Sequence, residues 1–439
     1  MENSKSIFDR INSWLENTLS LKLVVITFLM LILLIPASMI RSIIYERQGL
    51  RDKTIREVSQ KWANSQTING PILTIPLTYE EKLKNDEVKQ YTKYFNILPD
   101  DLNINGTVDP TRLRRSIYEI VVYKSDIKLD GKFNINKPID KNNLVRINYD
   151  QAFITMGVSD LRGIKSQILL DWNGTKLEVE PGSRISKVIP SGVTIDLPDL
   201  SANINKSLAF KMDIHFQGSQ NLSFIPLGKT TKVNINSDWP DPSFNGFFLP
   251  DDREVSDSGF SASWNILQLN RNYPQSWTGD SYASNIEASS FGIDLILPIN
   301  DYLKSTRAAK YAAMTIALTF LIFFIIEILN GKKIHPFQYT LVGLALLLFY
   351  ILLISISEHL NFNKAYGISS LIVVGMITLY SMSVFKKNKL SLLLLAILSS
   401  VYGFVFSTMQ LTEYALLMGS ISRASAYFTT ITHLHNTSS

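Results

Sequence analysis

Five histidines, no cysteine and one dense acidic-aromatic segment contain most of the chemistry this sequence could perform. His215, His335, His359, His433 and His435 are scattered, and no two share a metal-ligand spacing inside one regular element, so a histidine-built metal centre is not expected. The absence of Cys excludes disulfides, thiolate nucleophiles and Cys-ligated zinc or iron–sulfur centres. In the acidic segment, Asp238, Asp241, Asp251, Asp252, Glu254 and Asp257 are interleaved with Trp239, Phe244, Phe247, Phe248, Phe260 and Trp264. Clustered carboxylates are what a Ca²⁺ site or an acid/base pair requires. Asp beside Pro is also an ordinary turn former, as in Trp239-Pro240-Asp241-Pro242 and Pro250-Asp251-Asp252, and the rings suit a β core or a contact surface. The second use is the expected one. There is no Gly-rich phosphate loop and no Gly-x-Ser-x-Gly elbow, and no cofactor is expected.

The elements that would position these residues separate sharply by composition. Over 439 residues the hydrophobic fraction is 46% and the mean hydropathy is +0.09, high for a soluble chain. The apolar residues are concentrated in a few runs. Leu23 to Ile40 is uncharged and framed by Lys22 and Arg41, with Pro36 near its far end. Further runs lie at Tyr311 to Leu329, Phe337 to Ile356, Tyr366 to Phe385 and Leu390 to Leu411. Each is long enough to cross a bilayer as a helix. The first lacks a small-x-small cleavage site before Arg41, so it reads as an uncleaved anchor, with transmembrane helix 1 over residues 23–45.

Charge in the connections sets orientation. Lys332 and Lys333 precede His335-Pro336, and Lys386, Lys387 and Lys389 separate the fourth and fifth runs, whereas the turn at 357–365 has no cationic excess. By the positive-inside rule the two lysine turns face the cytoplasm. Residues 1–22 are then cytoplasmic, 46–306 form one periplasmic segment, and 307–411 hold transmembrane helices 2–5. Residues 412–439 form a weak sixth span or a tail: Arg423 and many Ser and Thr oppose insertion, and a crossing with Arg423 turned towards the bundle is favoured. The net charge of +5 comes from dispersed basic residues, so a nucleic-acid surface is not expected. The lipid bilayer is the expected partner.

Within 46–306 the apolar period is two. Leu208, Phe210, Met212, Ile214 and Phe216 alternate with polar neighbours from Ser207 to Gln217, the pattern of a half-buried strand. Similar runs occur at 72–79, 117–124, 144–155, 164–172, 232–237 and 293–297, and Asn105-Gly106, Asp130-Gly131, Asn173-Gly174 and Pro181-Gly182 read as turns. The expected fold is a membrane-spanning α-helical bundle with a large, mostly β, sandwich-like domain. Ile55, Val58 and Trp62 stand at helical spacing, which extends the first helix outward. Glu327 ends the second run and Glu358 and His359 end the third, close enough to an interface to snorkel.

A set of motifs runs through nearly the whole chain. Its members are the stretch from Leu34-Ile35-Pro36 through Arg41 to Glu46-Arg47, Gly70-Pro71, Trp239-Pro240-Asp241-Pro242-Ser243-Phe244, Phe248-Leu249-Pro250 and Arg253-Glu254 through Gly259-Phe260. It continues in Arg307-Ala308-Ala309-Lys310-Tyr311, Glu327, His335-Pro336-Phe337 and Ser357-Glu358-His359. In these motifs the chain resembles the CreD family of Gram-negative inner-membrane proteins, described as cell-envelope integrity or colicin-tolerance proteins. The resemblance implies one N-terminal span, a periplasmic domain and a C-terminal helical bundle, linked to envelope and metabolic stress and without an established catalytic activity. The motif residues carry over as marks of structure or interaction. The expected function is a contribution to envelope integrity or stress response through contacts of the periplasmic domain with envelope proteins or polymers. The alternative is a transporter or flippase-like protein, and an enzyme would need carboxylates such as Asp241 and Asp257 to converge.

Overall fold

The computed structural model describes residues 19–82, 87–296, 301–330, 334–386, 388–408 and 410. The expected sixth span or tail, with His433 and His435, and the cytoplasmic stretch 1–18 lie outside them. The chain divides into two units, residues 52–298 and residues 1–51 with 299–439.

Among the described residues five helices are long and apolar enough to cross a membrane: Lys22–Trp62, Ala312–Leu329, Pro336–Ser357, Phe362–Phe385 and Asn388–Thr408. The first is part of a continuous helix, Leu19–Trp62, that retains Pro36 inside it and takes in Ile55, Val58 and Trp62. Their starts follow from local chemistry. His335 caps the third, its Nδ1 accepting from the Phe337 amide at 3.2 Å while the Gln338 side chain accepts from the His335 amide, and Pro336 supplies the first-turn residue that needs no donor. The Asn361 side chain caps the fourth by accepting from the Lys364 amide, and Lys386 closes it in the left-handed region, at φ 51°.

Inward faces are aromatic and tight. The Phe349 ring lies 5.2 Å from Tyr366 and 4.9 Å from Tyr402, both nearly perpendicular to it. A methyl at Gly343 would fall 2.2 Å from Leu33 Cδ1 and 3.1 Å from the Phe320 ring, so the glycine leaves the space that the Leu33 side chain fills between the first and third helices. Outward faces remain apolar: Ile35, Leu371, Leu379, Leu392 and Phe404 are all exposed, a surface that suits lipid and not water.

The β unit contains two sheets that share one apolar core. Along the first run the strands Pro242–Gly246, Phe291–Leu295, Asn221–Phe224, Gln66–Lys82, Phe153–Val158, Gly192–Asp196 and Glu180–Pro181, with Val88–Ile97 and Leu144–Ile147 also paired to Gln66–Lys82 and Ser276–Thr278 to Val88–Ile97. The second orders Asp252–Ser256, Gly259–Leu267, Thr230–Ser237, Asp101–Arg115, Tyr118–Asn134, Ser207–Ser219, Leu169–Trp172 and Thr175–Glu178. Among the described strands each sheet contains one parallel pair, Gln66–Ile68 on Leu222–Phe224 and Thr230–Ser237 on Asp101–Val108.

Leu208, Phe210, Met212, Ile214 and Phe216 are all buried, as their alternation requires. Asn173-Gly174 turns the chain between two strands, but two other Gly dipeptides do not. Asn105-Gly106 lies inside Asp101–Arg115 and Asp130-Gly131 inside Tyr118–Asn134. A methyl at Gly106 would fall 2.2 Å from Ile127 Cδ1, and one at Gly131 2.0 Å from the Asp101 carbonyl oxygen and 2.8 Å from the Phe210 ring, so these glycines serve close packing. The run 144–155 breaks at a 3₁₀ turn, Tyr149–Gln151, and of 164–172 only Leu169–Trp172 is a strand.

The last turns of the long helix join the sheets through buried polar groups. The Gln66 side chain donates to the Asp160 and Gln217 carbonyls and accepts from the Asp160 amide, while the Gln217 amide group donates to the Trp62 carbonyl. The Asp160 carboxylate accepts from the Asn64 amide at 2.9 Å and from the Arg162 guanidinium at 2.6 Å. Arg162 holds that carboxyl at about 2, well below the usual range, with the Asn64 and Arg162 amides adding to the effect.

Two tests follow from this packing. The Trp239 indole is 5% exposed, donates to the Asp241 and Ile296 carbonyls, and lies 5.0 Å from the Arg112 guanidinium. Trp239→Ala is expected to cost about 3 to 5 kcal/mol, read as a lower melting temperature of the detergent-solubilised chain and faster amide exchange in Gly259–Leu267. Asp160 binds its proton less readily folded than unfolded, so its contribution is full above the ordinary carboxylate pKa of about 4 and is lost as pH falls through about 2. Melting temperatures of the native chain and Asp160→Asn should therefore differ by a constant amount above about pH 5 and converge below it.

Candidate functional site

A concavity among the described residues of the β unit lies on one face of the first sheet. In the strand register Thr74 stands opposite Asn96 and Phe153, Phe153 opposite Asp196, and Pro76 opposite Tyr94. Because side chains alternate along a strand, these residues and Thr92 share one face, while Leu73, Ile75, Phe95, Ile154 and Ile195 fill the core on the other. The Thr74 hydroxyl donates to Asn96 Oδ1 at 3.0 Å, which satisfies the buried part of this polar row.

Arg184, in the connection between Glu180–Pro181 and Gly192–Asp196, closes one side. Its guanidinium stands 5.2 Å from the centre of the Phe153 ring and donates to both Asp196 oxygens, at 2.5 and 2.9 Å, with Glu180 3.6 Å away. Tyr94, 37% exposed, meets Phe153 at right angles, with centroids 5.7 Å apart. The cleft so formed has a volume of about 610 Å³ and is lined by Thr92, Tyr94, Gln151, Phe153, Arg184 and Asp196 among others. At its rim Arg146 donates to both oxygens of Asp150, at 3.1 Å.

The electrostatics favour binding over proton transfer. Arg184 lowers the Asp196 pKa, so this carboxylate stays ionised and accepts hydrogen bonds, and each acid of the cleft is paired with a guanidinium. A general acid requires the opposite, a carboxyl whose proton is retained near neutrality. Among the described residues no group of His, Asp and Glu is placed to hold a metal ion.

The motif residues singled out in the sequence do not meet at this cleft. Gly70, at φ +132°, lies beside the same strands, where a methyl would come 3.0 Å from the Thr155 carbonyl oxygen, and Pro71 follows it in the strand. Trp239, Pro240, Pro242, Phe244 and Phe260 build an aromatic end of the core: Phe244 contacts Phe260 at 5.8 Å and Trp264 at 6.0 Å, and Arg253 stands 5.8 Å above the Phe244 ring. Gly259, at φ +134°, leaves no room for a methyl because the Ser237 carbonyl would lie 2.1 Å from it. Glu254 is exposed on its strand, whereas Phe247 and Leu249, before Pro250, are 65% and 64% exposed. Asp241 precedes a strand of the first sheet and Asp257 sits in an exposed hairpin turn of the second. His215 pairs on the surface with Asp126 across two strands.

In the helical unit Arg41 donates to the Ala309 carbonyl at 3.3 Å, Arg47 pairs with Glu358 at 3.3 Å, Glu46 and His359 are exposed, and His335 and Pro336 start the third span. Glu327 departs from the snorkelling expected of it. It is 7% exposed, accepts from the Tyr339 hydroxyl and the Ile334 amide, both at 2.9 Å, and forms an ion pair with Lys22. A carboxylate with these three donors is fixed inside the unit.

Two features carried no usable signal in the sequence. The cleft is assembled from four strands, of which the stretch 88–97 did not read as one, although Thr92, Tyr94 and Asn96 do alternate with the buried Phe95 and Ile97. Arg271 is 9% exposed, donates to the Gly228 carbonyl and to Gln275, and lies 4.4 Å from the Tyr273 ring, and burial lowers its pKa.

Comparison with known proteins covers both units. The family model described as inner membrane protein CreD matches residues 18–432. The inner membrane protein CreD of Escherichia coli (strain K12) is 33% identical over 393 residues, 89% of this chain and 87% of that protein. A match that takes in the first helix, both sheets and the later spans together means that the chain belongs to the CreD family of inner membrane proteins.

Proposed function

We propose that the protein supports the integrity of the cell envelope under stress by holding its β unit on the periplasmic side, where that unit acts by contact with envelope components and not by catalysis. One observation carries this reading: a cleft of the β unit is lined by carboxylates paired with guanidinium groups around an exposed tyrosine. Such a surface binds, and it offers no activated nucleophile or proton donor. The orientation is supported by the lysine turns, Lys332 with Lys333 and Lys386 with Lys387 and Lys389. A relative named as an inner membrane protein is consistent with a role at that membrane.

Transport is the second reading, and Glu327 is the observation that favours it, as a buried carboxylate among spans. Its three donors instead suit a fixed strut. Glu327→Gln should lower the melting temperature of the purified chain, because Lys22 is left without its counter-charge, and should leave proteoliposomes as tight to protons as those with the native chain. A proton flux present in the native chain and absent from the variant would establish transport.

The contact reading is tested in cells. Lys211, on the wet face of its strand, replaced by cysteine, should be labelled by a membrane-impermeant maleimide once the outer membrane is permeabilised. A photo-crosslinking residue at Thr92 should capture an envelope component, and the capture should disappear when the cleft is altered by Tyr94→Ala. Protection of the cysteine would reverse the topology, and crosslinks unaffected by the cleft variant would move the contact elsewhere.

A further inference from the structure

We propose that the Tyr94–Arg184–Asp196 cleft is a binding site for a short segment of an uncharged glycan. This deepens the contact reading above and rests on it. Three observations point to the ligand class. The first is size: about 610 Å³ falls within the range of small-ligand sites, about 300 to 1,000 Å³.

The second is the balance of hydrogen-bonding groups. A sugar presents hydroxyls that donate and accept within a few ångströms of each other, so its site needs acceptors and donors side by side and held rigidly. Asp196 supplies acceptor lone pairs, and Arg184, fixed by its fork onto Asp196 and by the Phe153 ring beneath it, supplies donors. Thr92 and Gln151, both exposed, add groups that can do either. The third is an aromatic face. Tyr94 is held by its edge contact with Phe153 yet remains exposed, a platform for the C–H face of a pyranose ring.

Charge excludes the nearest rivals. The cationic groups at the cleft, Arg146 and Arg184, face the acids Asp150, Glu180 and Asp196, which leaves a small negative balance and repels phosphate or an acidic sugar. An apolar ligand would strand these ion pairs in a dry site without new partners.

The full chain in lipid nanodiscs can be titrated with maltotetraose and chitotetraose, with tetragalacturonate as the anionic counterpart, and binding read by saturation-transfer NMR. At least one of the neutral tetrasaccharides should bind, and bind more tightly than tetragalacturonate. Tyr94→Ala should weaken it by about threefold to tenfold, the worth of one aromatic contact, while Tyr94→Phe stays within about twofold. His215→Ala, on the other sheet, should have no effect and serves as the control for folding. Binding that survives Tyr94→Ala unchanged, or a preference for the anionic sugar, would overturn the assignment. If neither neutral sugar binds while the Thr92 crosslinks still form, the glycan assignment falls and the contact reading stands; if both are absent, both fall.

Discussion

The strand Gln66–Lys82 has to be buried on both faces, and the rest of the β unit is arranged to allow it. Ile72, Leu73, Thr74, Ile75, Pro76 and Leu77 are all shielded in succession. A strand with no wet side leaves no side-chain pattern to orient it, so its register has to come from its neighbours, and it pairs with four of them. Pro76 offers no amide, Thr74 would strand a hydroxyl, and Gly70 admits no methyl. Each of these is settled by a particular neighbour: Tyr94 opposite Pro76, Asn96 accepting from Thr74, and the backbone of Thr155 against Gly70. The same neighbours create the cleft, so its walls are fixed by what the core needs.

Polar groups at the start of that strand show the same economy. Gln66 has no exposure, and its amide satisfies both the Asp160 segment and the end of Ser207–Ser219. A buried amide with all its partners present specifies one arrangement, because any shift leaves donors unpaired in a medium without water. The helix end and two sheets are thereby tied at one point within residues 52–298.

Much of this was legible in the sequence where a period repeats. The five apolar runs and the alternation of Leu208 to Phe216 are visible because burial of one stripe or one face leaves its period in the chain. Gly106 and Gly131 were misread as turns, since a glycine admitted for lack of a side chain and one admitted for its backbone freedom look alike until the neighbour that needs the space is known. For Trp239 and Trp264 the sequence leaves a β core and a contact surface both open, and both rings are buried in the core, 5% and 2% exposed. The cleft was not legible: Tyr94, Phe153, Arg184 and Asp196 come from separate segments, and each looks ordinary by itself. Glu327 was misjudged for a related reason, because its position along the helix is visible while the Tyr339 hydroxyl and the Lys22 ammonium are not.

The distance along the chain between Lys22 and Glu327, 305 residues, also bears on how the protein is made. A ribosome adding about 5 to 20 residues per second leaves the first helix in the bilayer for roughly 15 to 60 s before its carboxylate partner has been synthesised. During that interval Lys22 has no ion-pair partner in Glu327, and Leu33 has no Gly343 groove to enter. The first helix therefore has to insert and persist on its own apolar length, and the helical unit can close only after both sheets have emerged. Biogenesis thus places a chaperone-like demand on the lipid around one waiting helix, and lesions at Gly343 or Glu327 would be felt as failed assembly of a helix that had been correctly inserted long before.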